Sequence, residues 1–130
     1  MEGFDLDGTL ADTNFAQAAF KSLESIFKDA PVIYTPEQPF VVITARPHRT
    51  SQQKNATSEW LTENEPNFRA IYYVSGTEDE IIAAKARIIQ RLQLTSFTDN
   101  NPDVLAKLRE TLPSLKLWRM SATGRRTEFQ

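Results

Sequence analysis

Phe40-Val41-Val42-Ile43-Thr44-Ala45 is β-branched and apolar without a polar break until Thr44. A short run of this kind marks a strand buried on both faces, and both faces are covered when a parallel sheet carries helices on either side. Pro39 at its entrance sits where a strand can spare a donor. On both sides of this run, short apolar stretches alternate with longer ones of helical period. Before it, a brief apolar strand at the N-terminus leads to a helix capped by Asp12 or Thr13. Its apolar residues Phe15, Ala19, Phe20, Leu23, Ile26 and Phe27 recur at three and four, and Pro31 stops it.

After it, the pattern predicts a weaker helix over 50–65 with Ala56, Trp60 and Leu61 inward, then a strand over 70–74 and a helix over 78–92. A strand over 94–98 follows, then a helix opened by Asn101 and Pro102, and a fifth strand over 115–120. Strand then helix, repeated, predicts an α/β three-layer Rossmann-like sandwich with a five-stranded parallel sheet. The 130 residues, 40% hydrophobic, suit one domain, expected over 1–120. Residues 121–130, polar and carrying Arg125 and Arg126, are expected as a loose tail.

Composition narrows the chemistry. A formal charge of −2 and a pI near 5.4 give no global attraction to nucleic acid or anionic membrane. No stretch has the length of a membrane span, and no basic then apolar leader precedes the first strand, so a cytoplasmic location is expected. With no cysteine and one histidine, thiolate chemistry and Cys or His metal sites fall away. Oxygen ligands remain, suited to a hard cation such as Mg²⁺.

Ligands of parallel sheets bind at the carboxyl ends of the strands, and polar residues gather there. In Gly3-Phe4-Asp5-Leu6-Asp7-Gly8-Thr9-Leu10, alternation sends Asp5 and Asp7 to one side. Two such carboxylates raise one pKa or demand a cation. Gly8 permits a sharp exit and Thr9 follows with a hydroxyl. Thr44 and Arg46 end the second strand, and Asp99, Asn100 and Asn101 the fourth. In the helix over 78–92, Ile81, Ile88, Ile89 and Leu92 form one stripe with Lys85 in its middle. A lysine there needs an anionic partner or must snorkel past the helix edge.

These residues resemble the haloacid dehalogenase-like phosphatase superfamily. Asp5-Leu6-Asp7-Gly8-Thr9 matches its Asp-x-Asp-x-Thr first motif, Thr44 its second, Lys85 its third, and Asp99 with Asp103 its acidic fourth. The resemblance implies that Asp5 attacks phosphorus and that Asp7 protonates the leaving group and then activates water. It also implies that Thr44 donates to phosphoryl oxygens and that Lys85 steadies Asp5 and the transferring group. Mg²⁺ would be held by the Asp5 carboxylate, the Asp7 carbonyl and Asp99, with Thr9, Asn100 and Asp103 in supporting positions. Asn100 departs from the adjacent acids of many relatives, and Asp103 reads equally as a helix N-terminal charge.

Only 36 residues separate Asp7 from Thr44, and 40 separate Thr44 from Lys85, so no cap domain is expected. An open site suits a bulky phosphate ester, or a lid supplied by a second subunit in a homo-oligomer. Arg46, with His48, Arg49 and Lys54, is expected on the site's rim to bind substrate, with Trp60 or Tyr72 available for stacking. Thr44-Ala45-Arg46-Pro47 and Asp99-Asn100-Asn101-Pro102 are similar to the phosphatase half of phage-type polynucleotide kinases and to small nucleotidases. The implied substrate is a nucleotide or nucleic-acid-end phosphate. Two rivals stand beside this: a receiver-like phosphoacceptor signalling domain, opposed by the lack of an aspartate at Val74-Ser75-Gly76, and a catalytically silent binding module.

Overall fold

A computed structural model describes all 130 residues, Met1 to Gln130. The strands are β1 (Glu2–Phe4), β2 (Phe40–Thr44), β3 (Phe68–Tyr73), β4 (Ser96–Asp99), β5 (Lys116–Met120) and β6 (Arg126–Phe129). The α-helices are α1 (Leu23–Asp29), α2 (Ser51–Asn64), α3 (Glu78–Arg91) and α4 (Pro102–Thr111). They form a Rossmann-like α/β layout around one sheet of order β3-β2-β1-β4-β5-β6. Strands β1 to β5 pair in parallel, and β6 pairs antiparallel to β5.

Every residue of β2 is buried, as its unbroken apolar run requires. Val41 and Ile43 point to one face, where Ile82, Ala86 and Ile89 of α3 and Val104, Leu105 and Leu108 of α4 cover them together with Phe97 and Leu117. Phe40 and Val42 point to the other, against Phe4, Trp60 and Leu61. Sequence caps set the helix starts. Thr50 and Thr77 each accept from the third helical N–H while Gln53 and Glu80 reach back, and Asn101 caps α4 ahead of Pro102.

Three expectations change. The sheet has six strands, not five, because residues 121–130 are no loose tail: β6 lies on β5 with Met120 opposite Arg126. The turn between them needs Gly124 at φ +83, where a Cβ would stand 2.5 Å from the Ile33 carbonyl oxygen. Arg126 then anchors β6, bonding Glu2 at 2.8 Å with its guanidinium 4.7 Å from the Trp118 ring. Secondly, the helix expected through Phe15 and Phe27 is broken. Asn14 caps a 3-10 helix over Phe15–Ala19 and Ser22 caps α1, since both side chains compete for local backbone donors. Phe20, in the break, is 76% exposed. Thirdly, the inward stripe of α3 is Ile82, Lys85, Ala86 and Ile89, with Ile81 and Ile88 only flanking it.

Candidate active site

The chain order reverses direction across the sheet at β1, which lies between β2 and β4. A crevice opens at such a point beyond the strand ends. Asp5 leaves β1 with its N–H on the Thr98 carbonyl, so the following loop starts at the sheet centre. Residues 6–11 close on themselves: Thr9, Leu10 and Ala11 all donate to the Leu6 carbonyl. Gly8 is at φ +79, and a Cβ there would lie 2.6 Å from the Asn100 side-chain nitrogen. A larger residue would push the aspartate loop away from the end of β4.

Lys85 is 4% exposed and enters from α3. Its ammonium donates to Asp5 at 3.1 Å and to Asp99 at 3.2 Å. Burial alone would lower the Lys85 pKa, but the Asp5 and Asp99 carboxylates outweigh it and raise it. The lysine in the apolar stripe is therefore no snorkel: its charge joins two strand ends. Burial, and next the Asp99 carboxylate, push Asp5 up to about 7 against the pull of Lys85, with Asp7 adding a smaller upward push. One cation between Asp5 and Asp99 leaves negative charge in excess there.

Asp5 and Asp7 do not share partners. Arg46 Nε donates to both Asp7 oxygens at 3.1 Å, and its NH2 group bonds Asp7 as well. NH1 donates to Thr57 and NH2 to Thr13, each at 3.2 Å, while Thr13 donates to Asp7 at 2.6 Å. The Arg46 guanidinium carbon lies 4.2 Å over the Phe27 ring, and its side chain is fully buried. Arg46, expected on the rim, is thus turned inward, because Asp7 offers it a fork-shaped acceptor and Phe27 a flat apolar face.

The remaining expected residues divide. Thr44 is buried at the end of β2, and its hydroxyl accepts the Arg46 N–H at 3.1 Å, leaving its own proton to donate. Thr9 is buried and donates weakly, to Asp5 at 3.4 Å and Asn100 at 3.3 Å. Asp99 fixes the next turn by accepting the Asn101 N–H at 3.0 Å. Asp103 is not brought to the site. It sits exposed in the first turn of α4, where the helix dipole favours it. Trp60 is buried with its N–H on the Ala30 carbonyl, so it is unavailable for stacking. His48 does reach the rim, its ring stacked 4.7 Å from Tyr73, which pairs with Thr44.

Sequence reading missed Thr57 and Phe27 as supports of Arg46. Thr57 carries a faint signal, a hydroxyl next to Ala56 on the inward side of α2.

No three carboxylate or imidazole side chains are grouped to hold a metal ion by themselves. A hard cation takes main-chain carbonyls too, and often only one or two carboxylates. Here Asp5 and Asp99 converge on Lys85, and the Asp7 carbonyl accepts no hydrogen bond from the main chain. With negative charge in excess at Asp5, this donor set fits a divalent ion. The arrangement can place an anionic nucleophile, a fixed second carboxylate and a buried ammonium around one reacting group. Comparison with protein-family models, with curated proteins and with solved structures found no match to this chain.

Proposed function

We propose that the chain is a Mg²⁺-dependent phosphomonoester hydrolase of haloacid dehalogenase-like type that works through an aspartyl-phosphate on Asp5. The observation that carries this reading is Lys85, buried and bridging Asp5 to Asp99. A structural ion pair needs one carboxylate; here one ammonium serves two, which leaves negative charge for a divalent cation to balance, and a nucleophile facing a phosphate dianion needs both cations beside it.

Asp5 attacks phosphorus as the bond to the leaving oxygen breaks. Asp7 gives that oxygen a proton, so the alcohol departs neutral. Asp7 then takes a proton from water as the water attacks phosphorus, which frees phosphate and restores Asp5. Lys85 offsets charge on Asp5 and on the transferring oxygens, and the Thr44 hydroxyl donates to one of them. Arg46 keeps Asp7 in place through both proton transfers. Asp5, Asp99 and the Asp7 carbonyl would hold Mg²⁺, which supplies Lewis-acid neutralisation of the phosphoryl group. Lacking a cap domain, the site suits a nucleotide or a nucleic-acid-end phosphate as substrate.

The test is phosphate release from p-nitrophenyl phosphate and from a panel of nucleotides and phosphorylated oligonucleotides. Turnover that requires Mg²⁺, stops with EDTA and is lost in Asp5→Asn supports the reading. No turnover on any ester, with Mg²⁺ bound, would favour a binding module instead.

A further inference from the structure

A cleft of about 510 Å³ is lined by Gly8 of the aspartate loop and Asn100 just past β4, and extends to the β5–β6 hairpin. Its far wall carries Arg119, Arg125 and Thr127. Neither of the two arginines makes a salt bridge, whereas Arg46 and Arg126 are both ion-paired inside the fold. Arg125 uses only its main-chain N–H, on Ser121. Both are exposed, and they stand in a molecule of net charge −2, so this local excess of positive charge is set against the overall balance. Asp12 is the one carboxylate on the cleft wall.

The hairpin is a firm mount. Arg119 pairs with Thr127 across it, the turn is closed by Ser121 N–H to the Arg125 carbonyl, and Arg126 pins β6 to Glu2. With the backbone fixed, only the two arginine side chains are left to order on binding, less than a loose tail would lose. Guanidinium is also the side chain best matched to phosphate oxygens.

We propose that Arg119 and Arg125 bind a second phosphate of the substrate, a phosphodiester or terminal phosphate beyond the ester placed at Asp5. This rests on the phosphatase reading and adds direction: the substrate leaves the reacting centre past Asn100 and lies along the β5–β6 hairpin. The Arg119 and Arg125 side chains meet the second phosphate, and Thr127 supplies a hydroxyl beside them.

Binding is measured in the Asp5→Asn background, which removes turnover from the readout. Thymidine 3′,5′-bisphosphate should bind about tenfold more tightly than thymidine 3′-monophosphate, and Arg119→Ala/Arg125→Ala should abolish that ratio. A 3′-phosphorylated oligothymidylate tells a polymer from a free nucleotide. If its affinity also falls and its salt slope drops by about 1.4 in the double variant, the contacts are to backbone phosphates. If only the bisphosphate responds, the second phosphate is that of a free nucleotide. An equal affinity for the two thymidine ligands, or a ratio that survives the double substitution, overturns the inference. Phosphate release from p-nitrophenyl phosphate by the unmodified protein reports separately on the phosphatase reading. Arg119→Lys/Arg125→Lys should recover part of the ratio, which a merely structural role would not explain.

Discussion

Arg46 grips Asp7 sideways on, its Nε 3.1 Å from both carboxylate oxygens, from a position in which the guanidinium itself is sealed from solvent. The pair gives Asp7 one orientation, and Thr13 donates to Oδ1, the oxygen that the Arg46 NH2 group also holds, so that Oδ2 keeps only the Nε contact. A carboxylate that must give and then take a proton at one oxygen benefits from such restraint.

Arg46→Lys keeps the charge and loses the fork. Steady-state kinetics on p-nitrophenyl phosphate should show kcat falling by about 10- to 100-fold with KM nearly constant, and the same loss on nucleotides. A rise in KM confined to nucleotides would instead put Arg46 against the substrate.

Lys85 is shared by two carboxylates, the part-buried Asp5 and the buried Asp99. Lys85→Met should cost about 3–5 kcal/mol in urea unfolding, since it strands Asp5 and Asp99 together. Adding Asp99→Asn should recover about 1–2 kcal/mol of that. Strict additivity of the two substitutions would show that the charges are not coupled.

Glu65 lies outside the site, 2% exposed at the end of α2, with neither carboxylate oxygen hydrogen-bonded. Burial pushes its pKa up to about 7, and Thr35 offsets this only in part. Below the ordinary glutamate range both folded and unfolded states hold the proton, and nothing is lost. Between that range and about pH 7 the unfolded chain ionises first, so stability falls as pH rises, and above 7 the penalty is complete. The stability of Glu65→Gln relative to the parent should therefore grow by about 1–3 kcal/mol between pH 4 and pH 8, measured by denaturation at each pH. A difference independent of pH would mean that the carboxyl is solvated.

Particular residues explain which parts were legible in sequence. The β2 run and the capping pairs Thr50–Gln53 and Thr77–Glu80 act locally, so periodicity and spacing reveal them. Lys85 was legible as a contradiction, a charge among isoleucines that only distant carboxylates resolve. β6 was hidden because Arg126-Thr127-Glu128-Phe129 has no apolar alternation of its own. Its anchors are Glu2, at the other end of the chain, and Trp118 on the neighbouring strand of the hairpin. Arg46 looked like a rim cation because loop sequence does not say which way a side chain turns. Phe27, Thr57 and Asp7, from three separate segments, decide it.

The covalent step can be trapped on Asp7→Asn, which should still accept the phosphoryl group from p-nitrophenyl phosphate, whose leaving group needs no proton, but should release it slowly. After acid quenching and borohydride reduction, peptide mass spectrometry should find homoserine at position 5 only when Mg²⁺ and ester are both present. An unmodified Asp5, in a protein whose parent releases phosphate under the same conditions, would contradict the aspartyl-phosphate mechanism.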